Sequence, residues 1–213
     1  MERLLTRLDR RFGRYAPENL IFFIVGLTGI LHLVAFAKPE LVPLFWLDTA
    51  AVMRGEVWRV ATFLFAADAP ITSMFGLVWW FLGLWFVYTM GSSLEAQWGA
   101  LRFDLFFLIG GLGTLAVGVL FGPVTGTWLA AAMLIAFAAE FPEFQILLMM
   151  ILPIKVKWLG IITAAWMAYS FFEAGFAERA AIAVAAADLL LLCGGVLRDR
   201  MRGVSRSVKQ SQR

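Results

Sequence analysis

Charged residues are scarce in this chain of 213 residues: they make up only 15%, whereas hydrophobic residues make up 62%. Apolar residues account for roughly half of an ordinary soluble domain. A soluble fold of this length would have to bury more apolar surface than its interior can hold, whereas lipid solvates the outside of a helical bundle. The composition therefore excludes a soluble globular protein and predicts an all-α, polytopic membrane protein with one membrane domain.

Histidine and cysteine occur once each, as His32 and Cys193. An intramolecular disulfide and a zinc site with two histidines are therefore excluded. A serine or threonine hydroxyl needs a neighbouring base to become a nucleophile, and His32 is the only imidazole. A Cys193–His32 pair and a carboxylate dyad drawn from Asp188, Glu140 and Asp104 stay open as alternatives. We expect no cofactor and no metal.

The few cations are concentrated at the two ends of the chain. Residues 1–19 carry five arginines, and residues 198–213 carry six lysines and arginines. Basic ends follow the positive-inside rule and attract anionic headgroups, so membrane lipids rather than nucleic acid are the expected partners. We predict a basic amphipathic segment at residues 1–19, a membrane domain at residues 20–197 and a basic cytoplasmic tail at residues 198–213.

Six apolar segments predict membrane spans, because roughly 20 apolar residues cross a bilayer as a helix. The first ends like a signal peptide, but it is too long for one, and we expect it to be retained. The fourth is short, and we expect other helices to surround it. Breaks are expected at Gly91–Ser93 and at Gly194–Gly195. The predicted spans are about Leu20–Ala37, Ile71–Met90, Phe103–Leu120, Gly126–Phe141, Trp158–Phe172 and Ala180–Leu197.

Two connecting segments are too apolar for ordinary loops. Residues 38–70 are also too long for a featureless loop, so we predict short interfacial helices there, with Trp46 and Trp58 at headgroup level. Residues 144–154 predict a segment packed at the membrane surface. Glycines that recur every four residues predict a tight turn and close helix approach: Gly118, Gly122 and Gly126.

The first connecting segment resembles the first-loop signature of rhomboid proteins. Residues 55–65 read GEVWRVATFLF, with Trp58 and Arg59 followed by a threonine and an apolar run. Derlins share the Trp-Arg feature. We expect Arg59 to brace the interfacial loop, as the resemblance implies.

Two further motifs follow in the rhomboid order. Residues 91–95, GSSLE, with Gly99 and Arg102, are similar to the turn after the second span, and residues 141–142 with 154–159 resemble the approach to the fifth span in bacterial members. We expect Glu95 and Arg102 to pair or to cap this turn. Over residues 20–197 the chain thus resembles the rhomboid-like superfamily, which implies a six-helix bundle with an interfacial first loop.

The resemblance does not extend to the catalytic residues. Active rhomboids use a serine on the fourth span and a histidine on the sixth, but Thr125 or Thr127 matches the nucleophile position and the sixth span has no histidine. Trp79 and Gly83 match the pair that helps form the oxyanion hole, and they supply no equivalent donors. The resemblance therefore implies a pseudoprotease that binds transmembrane segments of client proteins or perturbs the bilayer locally. An active serine-type protease with unorthodox residues and a small transporter or channel are the alternatives.

Asp188 is the most informative polar residue of the predicted sixth span. A carboxyl there costs about 2.5–3.5 kcal/mol on insertion scales, so it should face the bundle interior. We predict that it points toward the fourth span. Either a hydrogen bond to a neighbouring helix or binding of a polar group of a client would explain it.

The charge distribution predicts the topology. With the N-terminus inside, the cytoplasmic side carries 14 of the 18 lysines and arginines, which favours six spans with both termini in the cytoplasm, in a bacterial inner membrane. Reporter fusions after Lys38 and after Arg198 should therefore report opposite sides of the membrane. Fusions that report the same side would contradict the six-span topology, and a mature N-terminus at Lys38 would show that the first span is a signal peptide.

Overall fold

The computed structural model describes the chain from residue 17 to residue 211, except residues 18, 67–70, 72 and 149–151. This described part is mostly α-helical. A 3₁₀ helix (Pro39–Leu44) follows the first α-helix, and two strands, β1 (Gln145–Leu148) and β2 (Leu152–Lys155), precede the seventh. The α-helices are α1 (Leu20–Ala37), α2 (Thr49–Met53), α3 (Arg59–Thr62), α4 (Met74–Trp98), α5 (Ala100–Phe121), α6 (Thr127–Glu140), α7 (Val156–Glu173) and α8 (Phe176–Ser211).

Three helices among the described residues, α1, α4 and α5, are long and apolar enough to cross a membrane. This is compatible with an integral membrane protein. Helix α1 has the bounds predicted for the first span. Helix α6 has 14 residues and is therefore only about 21 Å long at 1.5 Å per residue.

The short helix α6 occupies the centre of the fold. It packs against α4, α7 and α8, which confirms the expectation that other helices surround it. Small side chains allow the close approach, since a Cβ on Gly160 of α7 would collide with Ala138 of α6. The face of α6 that is buried includes Trp128, Leu129, Ala132, Met133, Ala136 and Phe137.

The break predicted at Gly91–Ser93 is wrong, because α4 runs through it to Trp98. The hydroxyls of Ser92 and Ser93 donate to the carbonyl oxygen of Thr89, at 3.2 and 2.7 Å, so they bond within the helix instead of ending it. Gly91 is buried against the side chain of Ile21 on α1. The chain turns instead at Gly99, whose φ of +86° favours glycine.

The break predicted at Gly194–Gly195 is also wrong. Helix α8 continues through both glycines to Ser211, because each glycine costs a helix only about 1 kcal/mol relative to alanine and does not by itself end it. The basic tail therefore begins as a continuation of this helix. The amphipathic segment predicted at residues 1–19 falls mostly on residues 1–16, which lie outside the described part of the chain.

The chain is mostly helical, as predicted, but it also contains a short strand pair that the prediction of an all-α chain did not include. Strands β1 and β2 are antiparallel, with Gln145 opposite Lys155 and Leu148 opposite Leu152. The segment is rich in aliphatic residues, and Pro153 within it disfavours a helix. A short hairpin therefore pairs the backbone of the segment that was predicted to pack at the membrane surface.

Glu143 joins this hairpin to the start of α7. Its carboxylate lies 2.6 Å from Nζ of Lys155 and 3.0 Å from Nζ of Lys157. Hydrogen bonds from the two lysines lower the pKa of Glu143 to about 2. Because the pKa of Glu143 is lowered, its ion pairs stabilise the folded protein at any pH above the ordinary pKa of a glutamate. This stability is lost as the pH falls through about 2, so the pairs stay charged across the physiological range. Because Glu143 is exposed to solvent, they contribute little stability.

Two glycines of α4 provide a matched test of the packing between α1 and α4. Gly91→Ala should destabilise the protein by about 1–3 kcal/mol, because a new Cβ would collide with Ile21. Gly83→Ala, on the same helix but with nothing within 4 Å, should be neutral or stabilising by up to about 1 kcal/mol through helix propensity. Thermal unfolding in detergent measures both, and equal effects would contradict the observed packing.

Candidate functional site

The guanidinium of Arg59 holds the first loop together. Its Nη1 donates to the carbonyl oxygens of Pro43 (2.7 Å) and Trp46 (2.9 Å), and its Nε donates to Oε2 of Glu56 (2.7 Å). The residue is only 6% exposed. A planar fork of donors can satisfy several acceptors at once. Arg59 thus braces the loop, as we expected from the sequence.

Two other residues of the Trp-Arg motif bind the backbone between those carbonyls. Trp58 donates through Nε1 to the carbonyl oxygen of Leu44 (3.3 Å), and Thr62 donates to that of Phe45 (3.1 Å). Four successive carbonyls, from residue 43 to residue 46, therefore accept bonds from the motif. The first two of these carbonyls belong to the last turn of the 3₁₀ helix and the other two follow it. No N–H group of the helix remains to bond with them.

Leu64, just after the motif, inserts between two helices. Its side chain lies against Gly111 of α5, and its carbonyl lies against Gly126, which precedes α6. A Cβ on Gly126 would collide with the Leu64 backbone. The recurring glycines were predicted to bring helices together, but Gly118 and Gly126 instead admit the first loop, since Gly118 is approached by Leu47. Gly122 forms the predicted tight turn, with a φ of +117°.

Thr125 and Thr127, which match the nucleophile region of the rhomboid family, lie side by side at the start of α6. Their hydroxyls are 2.9 Å apart and hydrogen-bonded to each other. A hydroxyl becomes a nucleophile only when a base can take its proton. A threonine partner cannot serve as that base.

Thr127 also lines a cavity of about 260 Å³ between α1, α4, the first loop and α6. The cavity is largely apolar, and its polar lining includes His32 and Thr28 of α1. The ring of His32 stacks on Trp80 with centroids 5.4 Å apart, and its Nδ1 is 2.9 Å from the Thr28 carbonyl oxygen. The Nδ1–H donates in this bond, which leaves Nε2 as an acceptor in the neutral ring.

The two positions that match the oxyanion pair lie elsewhere on α4. Trp79 packs its ring edge-on against Phe75, and Gly83 is exposed with nothing within 4 Å of its missing Cβ. Leu84 and Val87 line the cavity from α4, whereas Trp79 and Gly83 do not. The structure therefore does not bring the oxyanion-pair positions together with Thr125 and Thr127.

Asp188 is buried, with 1% of its surface exposed, so it faces the interior as predicted. A Cβ added to Gly110 of α5 would lie 2.9 Å from Oδ2 of Asp188, and it would also collide with the side chain of Leu129 of α6. Asp188 therefore faces the junction of α5 and α6 rather than the fourth predicted span alone. Neither carboxylate oxygen has a hydrogen-bond partner among the described residues, and Thr125 and Thr127 bond to each other.

Glu95 and Arg102 do not pair with each other, contrary to one of our two expectations. Glu95 accepts from the backbone N–H of Asn19 at 2.5 Å, so it caps the start of α1. Arg102 lies over the ring of Trp98, 5.4 Å from its centroid, and donates to the carbonyl oxygen of Leu192 on α8. The turn at Gly99 thus connects α1, α5 and α8.

Sequence reasoning missed one contact near this turn and one buried group that has no partner among the described residues. Trp98 donates through Nε1 to Glu140 at the end of α6, at 2.7 Å. Asp104, one turn into α5, has buried carboxylate oxygens without a partner among the described residues. The sequence did offer a signal for this carboxylate, because Asp104 lies only four positions after the first residue of an apolar helix. Within the described residues, no group of three or more His, Cys, Asp or Glu side chains could hold a metal ion.

Comparisons with known proteins found no match among protein-family models, curated proteins or solved structures.

Arg59→Ala should destabilise the fold by about 3–5 kcal/mol, because it leaves Glu56 without its buried partner and two carbonyls without a donor. Arg59→Lys should recover only part of this loss, since an ammonium cannot reproduce the fork. Arg54→Ala, in the same loop but at an exposed position, is the matched control and should change stability by less than about 0.5 kcal/mol. Similar unfolding temperatures for Arg54→Ala and Arg59→Ala would refute the bracing role.

Asp188→Leu should raise the thermal stability in detergent by about 1–3 kcal/mol, because it removes a buried carboxyl that has no partner among the described residues. Asp188→Asn, which keeps size and polarity, is the control and should change stability less. A loss of stability in Asp188→Leu would show that the carboxyl is bonded in the folded protein. Reduced co-purification of client proteins with an intact fold would assign Asp188 to client binding instead.

Proposed function

We propose that this chain is a rhomboid-like pseudoprotease: a six-span membrane protein that binds transmembrane segments or perturbs the bilayer locally, and does not hydrolyse peptide bonds. The observation that carries the proposal is the short, enclosed helix α6 with the first loop inserted at its N-terminal end. The ordered motifs in the sequence support the same family. A bacterial inner membrane with both termini in the cytoplasm is part of the proposal and follows from the charge distribution.

The length of α6 gives the proposal its physical basis. A helix of about 21 Å is shorter than a hydrocarbon core of roughly 30 Å. A short apolar segment is accommodated when the bilayer becomes thinner around it or when the segment oligomerises. Either response costs fractions of a kcal/mol per Å of difference between the segment and the hydrocarbon core. Thinned bilayer beside the protein would favour partner helices that are themselves short or interrupted.

Helices α4 and α7 suit the binding of a partner helix. Both pack on α6 but share no extensive contact with each other among the described residues. Both expose large apolar side chains, such as Phe81 and Trp85 on α4 and Ile162 and Trp166 on α7. In a bilayer these side chains would meet lipid or another transmembrane segment, and helix association there depends on such packing.

A hydrolase is the second candidate, and one observation favours it. His32, the only imidazole of the chain, lines the same cavity as Thr127. A histidine within hydrogen-bond reach of a hydroxyl can activate it as a nucleophile. We rank it second because Nδ1 of His32 is bonded to its own helix and the positions that match the oxyanion pair do not line this cavity.

Two measurements on the purified chain test the proposal. Fluorophosphonate probes should not label the wild type, because no activated hydroxyl is expected. Labelling that disappears in both Thr127→Ala and His32→Ala, but not in the control Ser73→Ala at the exposed start of α4, would establish the hydrolase instead.

The binding role is measured in vesicles. Fluorescent single-span peptides should associate with the protein, as followed by energy transfer, and short apolar peptides should associate more strongly than long ones when the vesicles consist of long-chain lipids. Association that is independent of peptide length and lipid thickness would contradict local thinning. Absence of association with any peptide would contradict client binding.

A further inference from the structure

An apolar groove separates α1 from α5 and continues beneath the first loop. Its larger part is a cavity of about 470 Å³ that opens between the two helices. Leu20 and Ile24 line it from α1, and Leu64 and Phe65 line it from the loop. From α5 it is lined by Leu101, Asp104, Leu105, Phe107 and Leu108.

Asp104 is the one charged residue that lines this cavity among the described residues. Both of its carboxylate oxygens are buried and have no partner there. Asp104 lies about 6 Å along α5 from Ala100, and the Glu95 carboxylate is close enough to act on it electrostatically. The cation of this turn, Arg102, points to α8 instead. The end of the groove near the turn is therefore negative and lacks a counter-charge among its described lining residues.

The dimensions of the groove decide what fits. The 260 Å³ cavity shares Ile24, Leu64, Phe65 and Phe107 with it. The two neighbouring cavities together follow α1 from Leu20 to His32, about 18 Å at 1.5 Å per residue. A membrane helix about 10 Å wide and 30 Å long is several times larger than either cavity, whereas a single extended acyl chain matches both the length and the volume.

We propose that this groove binds one phospholipid with a primary-amine headgroup, namely phosphatidylethanolamine. One acyl chain lies beneath Leu64 and Phe65, and the ammonium donates to Asp104. A charge-assisted hydrogen bond of this kind satisfies a carboxylate that otherwise has none. An anionic headgroup would meet the negative charges of Asp104 and Glu95, so phosphatidylglycerol is disfavoured. The proposal requires a membrane location but does not depend on pseudoprotease activity or client binding.

The test is lipid retention by the full chain in nanodiscs made of equal parts phosphatidylethanolamine and phosphatidylglycerol. After transfer to mild detergent, native mass spectrometry should find about one phosphatidylethanolamine per wild-type chain. Asp104→Asn should lower this retention roughly tenfold or more, as expected for loss of a hydrogen bond to a charged group. The control Glu173→Gln, an exposed acid at the end of α7, should retain it. Equal retention of the two lipids by the wild type, or unchanged retention in Asp104→Asn, overturns the proposal.

A second variant covers the case in which Asp104→Asn fails to fold. Leu105→Trp keeps the carboxylate but fills the groove, and should lose the lipid. A photoreactive leucine analogue at position 105 identifies the occupant directly. Cross-linking to phosphatidylethanolamine supports the proposal, whereas cross-linking to residues 1–16 of the same chain or to another protein overturns it.

Discussion

The buried guanidinium of Arg59 is the interaction on which the arrangement of the first loop and of the helices beside it depends. It collects carbonyls that a terminating 3₁₀ helix leaves without donors, and a buried acceptor without a donor costs about 1–3 kcal/mol. Because the loop is fixed there, the residues after Thr62 have a defined course into the bundle. Leu64 then bounds the cavity beside His32, the groove along α5 and the start of α6 at the same time.

The centre of the molecule is built from small residues and one short helix. Glycines on α5 admit the loop and Asp188, and alanines on α6 admit α7 and α8. This packing brings polar groups into the interior: Thr125 bonds to Thr127, and Asp188 lies against Gly110. On the proposed function, recognition of helices and lipids would depend on shape rather than on charge.

Hydropathy predicted the positions of the helices because a continuous apolar run in lipid has little alternative to helix. The Trp-Arg motif predicted the bracing role of Arg59 because a buried guanidinium must find several acceptors. The predicted break at Gly91 failed because packing against Ile21 and the hydroxyl–carbonyl bonds of the next two serines outweigh local propensity. The one at Gly194 failed because a glycine costs a helix only about 1 kcal/mol relative to alanine. The contacts of Glu95 and Trp98 join residues far apart in sequence, so no local pattern in a single chain could indicate them.

Helix α8 has a mechanical consequence. Its 36 residues extend over about 54 Å, whereas the hydrocarbon core is roughly 30 Å thick. On the proposed topology, α8 is longer than the bilayer is thick, and its cytoplasmic end lies well beyond the bilayer. A tilt of roughly 10° about its outer end would displace that cytoplasmic end by about 9 Å, given a rise of 1.5 Å per residue. Small changes in the width of the bundle around Asp188 would therefore be amplified at the basic C-terminal residues.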